Sequence, residues 1–339
     1  MPVASTAMQV TARGGPLTRQ TVRVDDPPTG WVRVEVRACG VCLADVSTMR
    51  GTGGHPITPG HEIAGVVTAV GGGVLDRQIG DRVAVGWFGG SCGRCDTCRR
   101  GDVAHCAHRR LTGVDHAGGW AETVTVPADS VAAVPDGMDL AHAAPMGCAG
   151  VTTFLAVRDA GLRPGSTVAV LGIGGVGHLA VRFAAAMGHR VIALARGPER
   201  ADLARELGAD DYLDVNENEA GAALRDRGGA DLIVASAPTT GPVTELLRGL
   251  AVRGRLTMLG VDGGTVDVAA ARLVANSQIL TGNLPGGPRD IEDALTFAHR
   301  NGVTPMIERM PLDRAEQAVE RITAGRARFR IVLEPAGAP

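Results

Sequence analysis

"STVAVLGIGGVGHLAVRFAAAMGHRVIALAR", Ser166–Arg196, decides the fold. It opens on an apolar run, turns on glycines, continues with apolar residues at helical spacing and closes on a second apolar run. Strand, glycine turn, helix and strand in that order form one unit of a parallel, doubly wound sheet. Further units follow in "ADLIVASAP" (230–238) and "GRLTMLGVDG" (254–263), each preceded by a helical stretch. Upstream, residues 20–147 read as short β-rich runs such as "GWVRVEVRA" and "EIAGVVTAV", parted by glycine and proline turns. The tail, "PRDIEDALTFAHR" and then "RFRIVLEP", adds a helix and a strand that return to this first region. The expected fold is α/β, with a mostly β domain of residues 1–149 and 287–339 and a doubly wound dinucleotide-binding domain of residues 150–286.

Composition agrees with two domains, because 339 residues exceed one ordinary core. A net charge of −2 gives no general attraction to nucleic acid or to an anionic membrane. Every basic residue among the 34 is arginine, which excludes Schiff-base chemistry and the lysine of a phosphate-binding P-loop. With one tyrosine, Tyr212, and no lysine, a Tyr-Lys reductase centre is excluded as well. No apolar run reaches the length of a membrane span, and "MPVASTAMQV" lacks the features of a signal peptide, so a cytoplasmic address is expected. No internal repeat supports a solenoid or propeller.

Gly172, Gly174 and Gly177 form G-x-G-x-x-G between strand and helix, with Gly175 and Val176 inside the motif. Such glycines let the backbone approach a pyrophosphate and aim a helix N-terminus at it. An acid at the end of the second strand would bind the ribose 2′-hydroxyl of NAD(H). Here that strand, "HRVIALARGPER", ends in Ala195, Arg196 and Gly197, with Arg200 close behind. Two guanidiniums suit a 2′-phosphate, so NADP(H) is favoured over NAD(H); a solvated basic turn is the alternative.

Four of seven cysteines lie in "CGRCDTCRRGDVAHC": Cys92, Cys95, Cys98 and Cys106. Four thiolates on one short loop can close a tetrahedral zinc site, a structural arrangement. An iron–sulfur cluster is the alternative, and disulfides are disfavoured in a chain without a secretion signal. His105 and His108 are read as surface residues. Cys42, His61 and Cys148 remain, with Asp45 and Glu62 nearby. Singly they read as a redox pair with Cys39, a core histidine and a small buried thiol. Together they offer three ligands and an open fourth position, as catalytic zinc requires. The expectation is two zinc ions per chain.

From "CGVC..D", "PGHEIAGVV", the four-cysteine lobe, "GGWAETVTVP", "CAGVTTF", "GIGGVG" and "GRARFRIVL", the chain resembles the zinc-dependent medium-chain dehydrogenase/reductases of the alcohol dehydrogenase family nearly end to end. The resemblance implies a GroES-like catalytic domain beside a Rossmann domain. It implies Cys42, His61 and Cys148 as catalytic zinc ligands, Glu62 as an alternate ligand and Asp45 as the partner that orients His61. Arg330 is implied near the cofactor pyrophosphate, Trp87 near a small-molecule substrate, and Cys39 without a ligand role. A homodimer or homotetramer is implied too. In the family, zinc polarises the substrate oxygen while hydride passes to or from the nicotinamide. A hydroxyl two residues after the ligand cysteine, and a histidine three further on, commonly carry the proton; here those positions are Ala44 and Ser47, and Leu43 replaces a usual histidine or arginine. Were 43–50 helical, Ser47 and Thr48 would fall on the side of Ala44. The missing hydroxyl keeps reduction of a conjugated alkene or imine open beside an alcohol/carbonyl reaction. A non-enzymatic cofactor-binding protein is the third reading.

Overall fold

The structure is a computed structural model that describes residues 1–52, 54–260 and 262–337. Its amino-terminal strands are β1 (Val3–Val10), β2 (Leu17–Val24), β3 (Trp31–Val41), β4 (Glu62–Val70), β5 (Arg82–Val85), β6 (Thr123–Pro127) and β7 (Val131–Ala133). The middle carries β8 (Thr167–Leu171), β9 (Arg190–Ala195), β10 (Asp211–Asp214), β11 (Ala230–Ala235), β12 (Leu250–Met258) and β13 (Ile279–Gly282). The tail adds β14 (Ile307–Pro311) and β15 (Arg330–Glu334). These strands and helices divide into two compact units, one of Met1–Val151, Pro285–Arg300 and the tail from Thr304, the other of Thr152–Leu284 with Asn301–Val303. Among the described residues no single helix is long and apolar enough to cross a membrane.

The second unit holds a parallel sheet in the order β10-β9-β8-β11-β12-β13. Its inner strands are buried on both faces, which is why "TVAVL" and "DLIVA" read as continuous apolar runs without alternation. The order reverses between β8 and β11, and the turn after β8 carries the glycine motif.

The first unit is built on a mainly antiparallel sheet, β14-β15-β3-β4-β5-β7, with β6 also paired to β3. Alternation places Val32, Val34 and Val36 of β3 in one core with Ile63 and Val67 of β4 and Ile331 and Leu333 of β15. The tail strand thus lies one strand away from β4, with β3 between them.

That arrangement lets an ion pair form inside the unit. Glu62 on β4 is fully buried and Arg330 on β15 is 4% exposed; Arg330 Nη2 donates to Glu62 Oε1. Gly40, which pairs with Glu62 and with Val332, makes the approach possible: a Cβ there would stand 1.9 Å from Glu62 Oε2. Burial pushes the Glu62 carboxyl up to about 7 against the pull of Arg330. Burial also opposes charge on Arg330, but Glu62 and Cys42 outweigh it and hold the guanidinium charged. Removing one member of a buried pair leaves the other uncompensated, at about 3–5 kcal/mol. Arg330→Met should lose about that much in urea unfolding above pH 8, and adding Glu62→Gln should recover part of it. A loss below about 1 kcal/mol for the single change, or strict additivity of the two, contradicts the pairing.

Candidate active site and metal centres

Cys42 ends β3's run into a short helix, Leu43–Ser47, and serves as its N-cap. Asp45, at the third helical position, returns its Oδ2 to the Cys42 N–H at 2.9 Å, closing a capping box. Its other oxygen, Oδ1, accepts from Gly60 N–H at 3.2 Å and from His61 Nδ1 at 2.7 Å. One buried carboxylate therefore fixes the backbone of one candidate ligand and the imidazole of the next. Because a carboxylate accepts, Nδ1 carries the hydrogen and Nε2 is left as the ligating nitrogen.

Cys42, His61, Glu62 and Cys148 bring their ligand atoms within 4.8 Å of one another. Cys148 arrives from the other side, capping the 3-10 turn Ala144–Gly147. His61 Nε2 and Glu62 Oε2 are buried without a hydrogen-bond partner among the described residues. Orphaned buried acceptors beside two thiols are what a cation would satisfy. The electrostatics agree. A hydrogen bond from Cys148, and then the His61 imidazole, hold the Cys42 thiol well below the usual range despite burial. Burial disfavours positive charge on His61, but Asp45 and Cys42 overcome it and hold the imidazole well above its usual range. A site that favours a proton on Nε2 favours a metal ion there. Trp87 packs edge-on against His61, ring centroids 4.6 Å apart.

Cys39 behaves differently. It is 1% exposed, outside the cluster, and burial pushes its thiol well above the usual range. The structure gives it no disulfide to Cys42, and it packs as a small apolar residue beneath Gly60 and Trp120.

Cys92, Cys95, Cys98 and Cys106 form the second cluster. Their Sγ atoms stand 3.5 Å (Cys95–Cys98), 3.8 Å (Cys95–Cys106) and 3.6 Å (Cys92–Cys106) apart. A tetrahedral ion with bonds of about 2.3 Å separates its ligands by about 3.8 Å, so the donors fit zinc with no position left open. The Thr97 hydroxyl, 3.1 Å from Cys95 Sγ, draws that thiol down to about 5. His105 is exposed and pairs with Asp102 at 2.8 Å, so it lies outside the thiol set.

Ser47 is exposed, and its hydroxyl donates to the carbonyl of Leu43 at 3.3 Å. Thr48 is 3% exposed at the end of the helix, which widens into a π turn, Thr48–Thr52, so 43–50 is helical but not as one continuous α-helix. Arg330, expected at the pyrophosphate, is held by Glu62 as described above.

In the second unit, Gly172 follows β8 with φ +89°, Gly174, Gly175 and Val176 shape the turn, and Gly177 opens the helix Gly177–Ala186. A Cβ on Gly177 would stand 1.8 Å from the Gly172 carbonyl oxygen, so only glycine lets helix and strand approach this closely. His178 is fully buried beneath the turn and donates from Nδ1 to the Gly174 carbonyl at 2.8 Å. After β9, Arg196 is exposed with no hydrogen bond or ion pair among the described residues. Arg200 reaches back to the Ile173 carbonyl at 3.2 Å. Sequence reasoning overlooked Glu199, whose carboxylate oxygens lie over the Gly197 α-carbon.

The chain matches the alcohol dehydrogenase GroES-like domain over residues 28–136 and the zinc-binding dehydrogenase domain over residues 175–300. An alcohol dehydrogenase of Aspergillus sp. (strain MF297-2) is 40% identical over 322 residues, covering 94% of this chain and 95% of the relative. The cinnamyl alcohol dehydrogenase of Sorghum bicolor superposes with a TM-score of 0.88 at 31% identity, covering 98% of both chains. CAD from Helicobacter pylori, solved complexed with NADP(H), gives a TM-score of 0.87 at 26% identity over 98% of this chain and 99% of that one. The chain belongs to the zinc-dependent medium-chain dehydrogenase/reductases of the alcohol dehydrogenase family.

Proposed function

We propose that this enzyme interconverts an alcohol with its aldehyde or ketone, uses NADP(H), and holds two zinc ions per chain. The carrying observation is the cluster of Cys42, His61, Glu62 and Cys148 around two orphaned buried acceptors. Zinc, when bound, supplies Lewis-acid polarisation of the substrate oxygen, and the nicotinamide supplies or accepts the hydride. Cys42, Cys148 and His61 hold the metal. Asp45 sets the tautomer and direction of His61, and Trp87 walls the imidazole. Glu62, with one oxygen on Arg330 and the other unpartnered, stands ready as a fourth donor.

Ala44 favours a second reading, reduction of a conjugated alkene or imine, because it offers no hydroxyl to carry a proton. The Ser47 hydroxyl is already turned to Leu43. Steady-state assays on alcohols, aldehydes, enals and cyclic imines separate the two. The first reading expects carbonyl reduction in the native protein and, since proton assistance is worth about 10²–10⁴ in rate, at least a tenfold faster alcohol oxidation in Ala44→Thr. Turnover confined to enals or imines, with Ala44→Thr inert, replaces it with the second.

The cofactor preference is supported by the free guanidinium of Arg196 at the end of β9. Glu199 favours NAD(H) instead, since a carboxylate can accept from a ribose 2′-hydroxyl. If Arg196 meets a 2′-phosphate, Arg196→Ala raises the KM for NADPH by about tenfold and leaves that for NADH within about twofold, while Glu199→Gln lowers the KM for NADPH. A protein that uses both cofactors equally, or that loses NADH on Glu199→Gln, is contrary to this preference.

A further inference from the structure

Tyr212, the only tyrosine of the chain, has no place in the chemistry above, and neither has Asp214. Both lie on β10, which pairs in parallel with β9 so that Tyr212 stands opposite Ala193 and Asp214 opposite Ala195. From there they reach one residue, Gly197, immediately after Arg196. Asp214 Oδ1 accepts from Gly197 N–H at 3.0 Å, and the Tyr212 hydroxyl donates to the Gly197 carbonyl at 2.5 Å. We propose that Tyr212 and Asp214 are positioning residues that clasp Gly197 and thereby set how tightly Arg196 reads the 2′-phosphate of the cofactor. This rests on the NADP(H) preference proposed above.

Two peptide planes flank Gly197, and each is gripped by its own polar group. The Arg196–Gly197 plane is held through its N–H by Asp214, which is 9% exposed and also accepts from Asn216 N–H at 2.9 Å. The Gly197–Pro198 plane has no N–H, because Pro198 supplies none. Its only polar handle is the Gly197 carbonyl, which takes the Tyr212 hydroxyl and a longer 3.4 Å contact from Arg200 N–H. With φ at +86°, Gly197 is the most freely rotating residue of the turn, so fixing both planes removes the freedom that would let the Arg196 α-carbon wander. A fixed fork binds phosphate with less ordering cost than a mobile one. Arg200 acts elsewhere: its Nη1 ties the same turn to Ile173 in the glycine motif.

The test uses the full-length wild type, Tyr212→Phe and Asp214→Asn, with calorimetric binding of 2′,5′-ADP and 5′-AMP alongside steady-state kinetics with NADPH and NADH. Tyr212→Phe keeps the ring and loses only the hydroxyl. The expected result is a 2′,5′-ADP affinity about 3- to 10-fold weaker, the scale of one hydrogen bond, with 5′-AMP within about twofold. The KM for NADPH should rise by the same factor at unchanged kcat. Asp214→Asn should act in the same direction. A merely structural role predicts equal losses for both nucleotides, and that outcome overturns the proposal. If the wild type itself binds 2′,5′-ADP no better than 5′-AMP, the NADP(H) preference falls and the clasp's role with it. If the wild type discriminates and Tyr212→Phe discriminates equally well, only the clasp is wrong.

Discussion

Charge that is buried must be compensated, and this constraint organises the first unit. Asp45, His61 and Glu62 are each 2% exposed or less, Arg330 is 4% exposed, and the half-buried thiols of Cys42 and Cys148 lie beside them. Left alone, each charge would cost several kcal/mol. Glu62 answers Arg330, Asp45 answers His61, and in the proposed metal centre a divalent cation would answer the two thiols and the remaining imidazole nitrogen. Such a cation would complete the balance, since among the described residues His61 Nε2 and Glu62 Oε2 have no hydrogen-bond partner. The proposed metal site is thus the last term in a buried electrostatic arrangement that the fold has otherwise closed.

The fold supplies the compensation by simple means. Gly40 leaves room for a carboxylate to cross β3 and meet a guanidinium from the strand beyond. Asp45 does three tasks with two oxygens: it caps a helix, holds the loop at Gly60 and orients an imidazole. Dispersal along the sequence has a consequence. Donors from residues 42, 61 and 148 meet only when the sheet of this unit has formed, so its metal affinity is coupled to folding. The four-cysteine cluster draws on residues 92–106 alone and closes within one loop.

The sequence made some of this legible and hid the rest for identifiable reasons. Parallel strands announced themselves because burial on both faces forbids polar residues, as in "TVAVL". The clustering of these side chains was legible because closely spaced cysteines are rare by chance and His61 stands in the segment "PGHEIAGVV". The Glu62–Arg330 pair was not, since its partners are 268 residues apart and meet through strand order. Arg330 was accordingly assigned to the cofactor alone. The direction of the Ser47 hydroxyl was hidden by a local competition, the pull of the Leu43 carbonyl four residues back. Glu199 escaped notice, and Tyr212 was read only as a lone tyrosine, because a turn's conformation decides which side chains gather over Gly197, and spacing does not encode it.

The proposed function requires two zinc sites of different composition in one chain, one of four thiolates and one of two thiolates with an imidazole. X-ray absorption at the zinc edge on the purified protein, with metal content measured on the same sample, reads this directly. Two ions per chain, averaging about three sulfurs at about 2.3 Å with a minority shell of nitrogen or oxygen near 2.0–2.1 Å, is the predicted result. One ion per chain with four sulfurs and no lighter ligand would contradict the proposal, because the cluster of Cys42, His61 and Cys148 would then hold no cation.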